Sequence, residues 1–162
     1  MDKKISTVCF TGHRSINKDL AIRIPSALKK VIEDLILKGA TSFRAGGAMG
    51  FDTVAALCVL ELKENYKHIR LDLILPCRDQ TNGWDRENIR AYNYVLSKAD
   101  SVEYICDSYR AGCMHDRNRA LVDGSEVCVA YLERSMGGSA YTYTYALKLG
   151  LEVINIYELI KK

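Results

Sequence analysis

Short runs of β-forming residues alternate with helix-period segments along the whole chain, and this pattern predicts an α/β fold. Two further observations sharpen it. Three of the runs end in glycine-rich turns, FTGHR (10–14), AGGAMGFD (45–52) and MGGSAYT (136–142). No internal repeat, low-complexity tract or linker interrupts the 162 residues, a length that suits one domain with a substantial core. Strands joined by helices pair in parallel through right-handed crossovers. The expected architecture is therefore a Rossmann-like three-layer α/β/α sandwich over residues 1–162, with a mostly parallel sheet of about six strands.

ISTVCF (5–10) reads as the first strand and ends at Thr11-Gly12. Leu20, Ile24, Leu28, Val31 and Leu35 then recur at three and four, with Pro25 near the start of that helix and Gly39 ending it. SFRA (42–45) is the second strand, and a helix follows from Phe51 to Glu64. IRLDLIL (69–75) is the third strand, closed by Pro76; residues 85–98 read as helix and SVEYI (101–105) as strand. Residues 113–123 are helical, EVCVAYL (126–132) is the fifth strand and VINIY (153–157) the last. Leu159 and Ile160 in YELIKK either cover that last strand or pack in an oligomer.

MGGSAYTYTYA (136–146) has an alternating look that would suit a strand. EVCVAYL already supplies the strand before it, and a new strand begins after Gly150, so a crossover helix is required between them. On that helix Tyr141 and Tyr145 share a face and Tyr143 points elsewhere.

Net charge is +3, from 23 basic and 20 acidic residues, too weak a bias to argue for nucleic acid. No apolar run approaches the roughly 20 residues of a membrane span, and MDKKISTVCF lacks a signal-peptide pattern. Six cysteines occur with no CxxC pair, which points to buried free thiols in a reducing cytoplasm. Three scattered histidines without ligand-spaced acids support no metal site.

In parallel sheets ligands sit just beyond the carboxyl ends of the strands, so the turns there carry the functional reading. Glycine allows close backbone approach, and the helix amino end that follows offers free N–H groups to phosphate. AGGAMG is not a GxGxxG fingerprint, and the absence of GxxxxGK[ST] excludes an ATPase P-loop. Arg14 is a candidate phosphate clamp, with a surface salt bridge as the alternative. His13 either donates to a ligand or caps a local turn; Asp52 either accepts from a ribose hydroxyl or serves as a first-turn helix acid. Arg117 and Asn118 lie at the start of a helical pattern, where Arg117 either reaches across to the ligand or belongs to a solvated basic turn. Gln80 and Trp84 follow the third strand, and Trp84 either stacks on a base or lids the core.

TGHR, GGAMGFD, the spaced P…Q…W, RN and GGS, in this order over nearly the whole chain, resemble the YpsA-like family of the SLOG superfamily. Lonely-guy phosphoribohydrolases and the DNA-processing protein DprA are relatives of that family. The resemblance implies a cytoplasmic, bacterial domain that binds a nucleotide or a nucleotide-derived, ADP-ribose-like ligand, with no resident cofactor. It implies a homo-oligomer, as in lonely-guy relatives. Carried over by position, Gly12, His13, Arg14, Gly46, Gly47, Gly50, Asp52, Arg117, Asn118, Gly137, Gly138 and Ser139 line the site, with Gln80 and Trp84 beside it.

Active lonely-guy enzymes carry a PGGxGTxxE pattern whose glutamate works with an arginine. Here Met136 stands at the proline, and Tyr143 and Thr144 stand where carboxylates belong. The helix has no acid until Glu152, although Arg117 matches the arginine. A tyrosine, with a pKa near 10, does not replace a carboxylate charge at neutral pH. The sequence thus reads as a sensor or regulator that keeps a phosphate cradle and loses the expected acid. Two alternatives stand beside it: hydrolysis of a nucleoside 5′-monophosphate, with Asp52, Asp116 or Glu133 as substitute acid, and single-stranded DNA binding of the DprA kind.

Overall fold

The structure, a computed structural model, describes residues 4–134 and 137–162. In chain order the elements are β1 (Thr7–Gly12), α1 (Lys18–Ala21), α2 (Ile24–Leu37), β2 (Ser42–Ala45), α3 (Phe51–Lys63), β3 (Arg70–Leu75) and α4 (Arg86–Lys98). Then follow β4 (Ser101–Tyr104), α5 (Cys113–Val122), β5 (Val127–Tyr131), α6 (Gly138–Lys148), β6 (Glu152–Asn155) and α7 (Ile156–Ile160). The six strands form one sheet in the order β4-β3-β2-β1-β5-β6. Every neighbouring pair is parallel, so the sheet is wholly parallel.

Side chains alternate across this sheet and build two cores. On β1, Val8 and Phe10 join the larger core, with α2, α3, α4 and α7 packed over it. Cys9 faces the smaller core under α5 and α6. β5 does the same: Val127, Val129 and Tyr131 face one side, Cys128 and Ala130 the other. All five β5 residues are buried, whereas the edge strand β4 is largely open and β6 mostly half-buried. Central parallel strands covered on both faces read as continuous apolar runs for this reason. The cysteines are free thiols; all but the half-buried Cys106 are buried.

Two expectations change in detail. The helix beginning near Leu20 is split into α1 and α2, because Pro25 at the start of α2 fits a first turn and not an interior. VINIY is not all strand: Asn155 stops it by turning its side chain to accept from the Tyr157 N–H, 3.1 Å away, which caps α7. Ile160 is then buried on the larger core and Leu159 is exposed. At its carboxyl end α2 closes as expected at Gly39, with Ala40 N–H reaching back to the Leu35 carbonyl at 2.9 Å. The segment after β5 is helical, and Tyr141 and Tyr145 stack on one face with ring centroids 6.4 Å apart.

Candidate functional site

β1 lies between β2 and β5, so the strand order reverses there. The chain leaving β1 runs to α2 over the larger core, and the chain leaving β5 runs to α6 over the smaller one. The two diverge and open a crevice at the carboxyl edge of the sheet, the usual ligand position in such folds. A cavity of about 430 Å³ occupies it, within the range of small-molecule sites. Thr11 to Ser15, Ala48, Asp52, Gln80, Met114, Arg117, Asn118, Leu121, Arg134 and Gly137 to Ser139 line it.

Side-chain caps are present on some helices and absent from those around this cavity, as they are from α2, whose N-cap is Arg23. Asn17, Asp85 and Asn155 cap α1, α4 and α7 with their own side chains. The N-caps of α3, α5 and α6 are Gly50, Gly112 and Gly137, and none of the three receives a side-chain cap. One α3 amide is satisfied from the backbone, Phe51 N–H donating to the His13 carbonyl at 3.1 Å. An uncapped amino end keeps N–H groups and a partial positive charge available to an anion. Gly50 is fixed by its surroundings: φ is +79°, and a Cβ there would collide with the backbone carbonyl of Arg14.

A buried polar network forms part of the cavity lining. Arg117 and Asp52 are 6% and 5% exposed, and both crowd Gly46. A Cβ on Gly46 would stand 2.6 Å from Arg117 Nη1 and 3.0 Å from Asp52 Oδ2, so the glycine makes room for both groups. Arg117 Nη1 donates to the Gly46 carbonyl, and Gln80 Nε2 donates to the same oxygen at 3.2 Å. Arg117 Nε donates to Asn118 Oδ1 at 2.9 Å. Asp52 accepts a long bond, 3.4 Å, from the Ala48 N–H, the Gly46 amide also pulls on it, and the carboxylate keeps acceptor capacity.

Burial pushes the Asp52 carboxyl up to about 6, against the opposing pull of Arg117, the Ala48 and Gly46 amides and Arg14. A carboxyl raised above its ordinary 3.8 contributes stability that is complete below that value and is lost as pH rises through about 6. Burial also lowers the Arg117 pKa, with Asp52 opposing, and the guanidinium stays charged. Replacing Asp52 by Asn is therefore expected to flatten the pH dependence of stability near pH 6, read by denaturant unfolding across that range. An unchanged profile would show that Asp52 titrates as if exposed.

The family model described as the YspA SLOG family matches residues 8–159. The chain belongs to the YpsA family of SLOG proteins. Among relatives of this YpsA-family chain, the Bacillus subtilis SPbeta prophage-derived protein YoqJ is 30% identical over 140 residues, covering 78% of this chain and 82% of YoqJ. DprA of Streptococcus pneumoniae superposes at a TM-score of 0.65 with 17% identity, over 93% of this chain and 50% of that one. DprA of Helicobacter pylori superposes at 0.66 with 18% identity, over 93% and 64%, and its structure is described with a single-stranded DNA binding mode. The chain thus spans between half and two thirds of these DprA chains, and the likeness shows the shared fold.

The sequence candidates divide into two groups in this YpsA-family fold. Gly12, His13, Arg14, Asp52, Gln80, Arg117, Asn118, Gly137, Gly138 and Ser139 line the cavity. Gly46, Gly47, Gly50 and Trp84 stand behind it. Trp84 packs edge-on to Tyr92 at 5.7 Å and against the larger core, as the lid alternative requires, with the Arg14 guanidinium 5.8 Å from its ring. His13 takes the turn-capping role: its Nε2 accepts from the Glu133 and Arg134 N–H groups at 3.0 and 3.2 Å. The comparison at Met136 lies outside the described residues. α6 carries no acid, and of the substitute acids considered only Asp52 lines the cavity. Arg134 was missed as a candidate, although it follows β5 as Arg14 follows β1, and the strand-end rule flags both. Thr11, Ser15, Ala48, Met114 and Leu121 were missed for want of a charge or glycine signal. Among the described residues no helix is long and apolar enough to cross a membrane.

Proposed function

We propose that this domain binds a nucleotide or nucleotide-derived small molecule as a sensor or regulatory module. Its phosphate would sit at the α6 amino end between Arg14 and Arg134, and its ribose hydroxyls would face Asp52. The observation that carries this reading is the charge of the cavity. Three arginines, Arg14, Arg117 and Arg134, face one carboxylate, Asp52, at a site bordered by uncapped helix amino ends. That combination favours a compact anion with a hydroxyl-bearing arm.

A second reading is hydrolysis of the N-glycosidic bond of a nucleoside 5′-monophosphate. Asp52 favours it, because a buried carboxyl with a pKa near 6 in a cleft is suited to hold or release a proton at neutral pH. A thermal-shift screen of AMP, ADP, ADP-ribose, adenosine and a single-stranded oligonucleotide, with mass spectrometry of each mixture, tests both. Stabilisation by a phosphate-bearing ligand recovered intact supports the sensor. Recovery of free base and ribose phosphate selects the hydrolase. A shift from the oligonucleotide alone would replace both with nucleic-acid binding.

Arg14 stands exposed at the rim and gives a sharper test. Arg14→Ala is expected to weaken AMP by about 1.5–3 kcal/mol, the scale of hydrogen bonds to charged groups, and adenosine by much less. Equal losses by calorimetry would show that Arg14 does not read the phosphate.

A further inference from the structure

We infer that His13 is a positioning residue whose ring ties the turn after β5 to the end of β1, holding Arg134 and the α6 amino end over the cavity, and that this tie opens on protonation. Its effect on affinity rests on the reading of the cavity as an anion site; the tie itself does not.

Two successive backbone N–H groups, of Glu133 and Arg134, converge on one imidazole nitrogen at 3.0 and 3.2 Å. Both are donors, so Nε2 must be unprotonated and the ring proton sits on Nδ1. The backbone of His13 is held as well. Its N–H donates to the Tyr131 carbonyl at 3.2 Å and its carbonyl accepts from Phe51 N–H. The ring is 5% exposed and edge-on to Tyr131 at 6.0 Å. The turn it grips contains Arg134, which lines the cavity, and the chain reaches the α6 N-cap Gly137 only a few residues later. Where this turn sits therefore bears on where the Arg134 guanidinium can reach.

Protonation would place a third donor against the two amides. The charged and titratable groups facing the ring are Glu133 and Arg134 on the turn and Tyr131 on β5; Arg14, the next residue, carries its guanidinium 5.8 Å from the Trp84 ring. Asp52 of α3 and Arg117 of α5 share the same cavity. Burial and then Arg134 lower the imidazole pKa, with Glu133 opposing. A base lowered from its ordinary 6.5 contributes stability that is complete above that value and is lost as pH falls through the folded value. The neutral ring is thus the resting form at neutral pH.

The test uses the ligand-free chain first. Amide NMR shifts of Glu133 and Arg134, followed from neutral pH down to about pH 5, should move together with the His13 ring titration. AMP affinity is then measured by calorimetry over the same range. His13→Ala is expected to bind AMP about tenfold more weakly at neutral pH, the effect of losing a shared amide bond. His13→Gln, whose carbonyl oxygen can accept from the same amides, should recover most of that loss and lack the acid step attributable to the ring. Asp52 titrates in the same region and remains in both variants, so the difference between wild type and His13→Gln isolates His13. Amides that ignore the ring titration, or a Gln variant as weak as Ala, would overturn the inference. Failure of AMP to bind the wild-type chain would sink the ligand reading, while the amide titration would still decide the tie.

Discussion

Arg117→Met is expected to destabilise the fold by about 1–2 kcal/mol near neutral pH, the cost of leaving a buried charge without the cation near it. The cost is capped because the carboxyl can take a proton, and one pKa unit is about 1.4 kcal/mol. Asp52 is that charge. It is 5% exposed, and the Ala48 N–H reaches it only over a long 3.4 Å. With Arg117 present burial already lifts its pKa to about 6. Without Arg117 the pKa must rise further, because Arg117 is the first of the groups opposing burial. Below that raised value Asp52 takes a proton and the uncompensated charge disappears. The loss should therefore shrink at about pH 5. Asp52→Asn in the Arg117→Met background should restore much of the stability at neutral pH. Urea unfolding of the single and double variants at both pH values decides it. A loss of the same size at both would mean that Arg117 acts through packing and the Gly46 carbonyl alone.

Gly47→Val and Gly138→Val are expected to fail in opposite ways, although both fall in glycine pairs after strands. Gly47 has φ of +72°, and a Cβ there would stand 2.5 Å from Leu75 Cδ2 and 3.3 Å from Tyr92 Cε2. Overpacking and a left-handed β-branched residue together should cost about 3–5 kcal/mol, so this variant tests the fold and not the ligand site. Gly138 is the first residue of α6, and the nearest atom to an added Cβ is Asn118 Nδ2 at 3.7 Å. Valine there should change stability by less than about 1 kcal/mol. It does, however, place a branched side chain in the cavity lining. AMP binding should then be lost while the thermal midpoint stays near wild type. Retained AMP affinity in a folded Gly138→Val chain would remove the α6 amino end from the phosphate site.

Helix and strand identity were legible because they depend on neighbours in sequence. The period of Leu28, Ile32 and Leu35, the apolar run of β5 and the glycines closing β1 and β2 are local signals. The helix at Gly138–Lys148 shows how far such signals go. Its threonines and tyrosines argue weakly for helix, and the need for a crossover between two strands decided it. The same logic selected Arg14 and the GGS turn, since residues just past strand ends share one edge of a parallel sheet.

Roles within that edge were not legible, because each is set by partners far apart in the chain. His13 was balanced between ligand donor and turn cap, and the fold brings the amides of Glu133 and Arg134 to its Nε2, a contact no local pattern announces. Asp52 was one of three acids of equal standing until the fold buried it beside Arg117 and left the other two outside the lining. Trp84 was balanced between stacking on a base and lidding the core, and the fold sets it against Tyr92 and the larger core. The sequence by itself determined the elements, their order and the edge where a ligand would bind, because hydrophobic period and turn chemistry act over a few residues. Only the tertiary structure decided the strand order, the reversal between β1 and β5, and which side chains share the cavity. Those depend on packing two cores on opposite faces of one sheet, and no local pattern encodes which distant side chains that packing brings together.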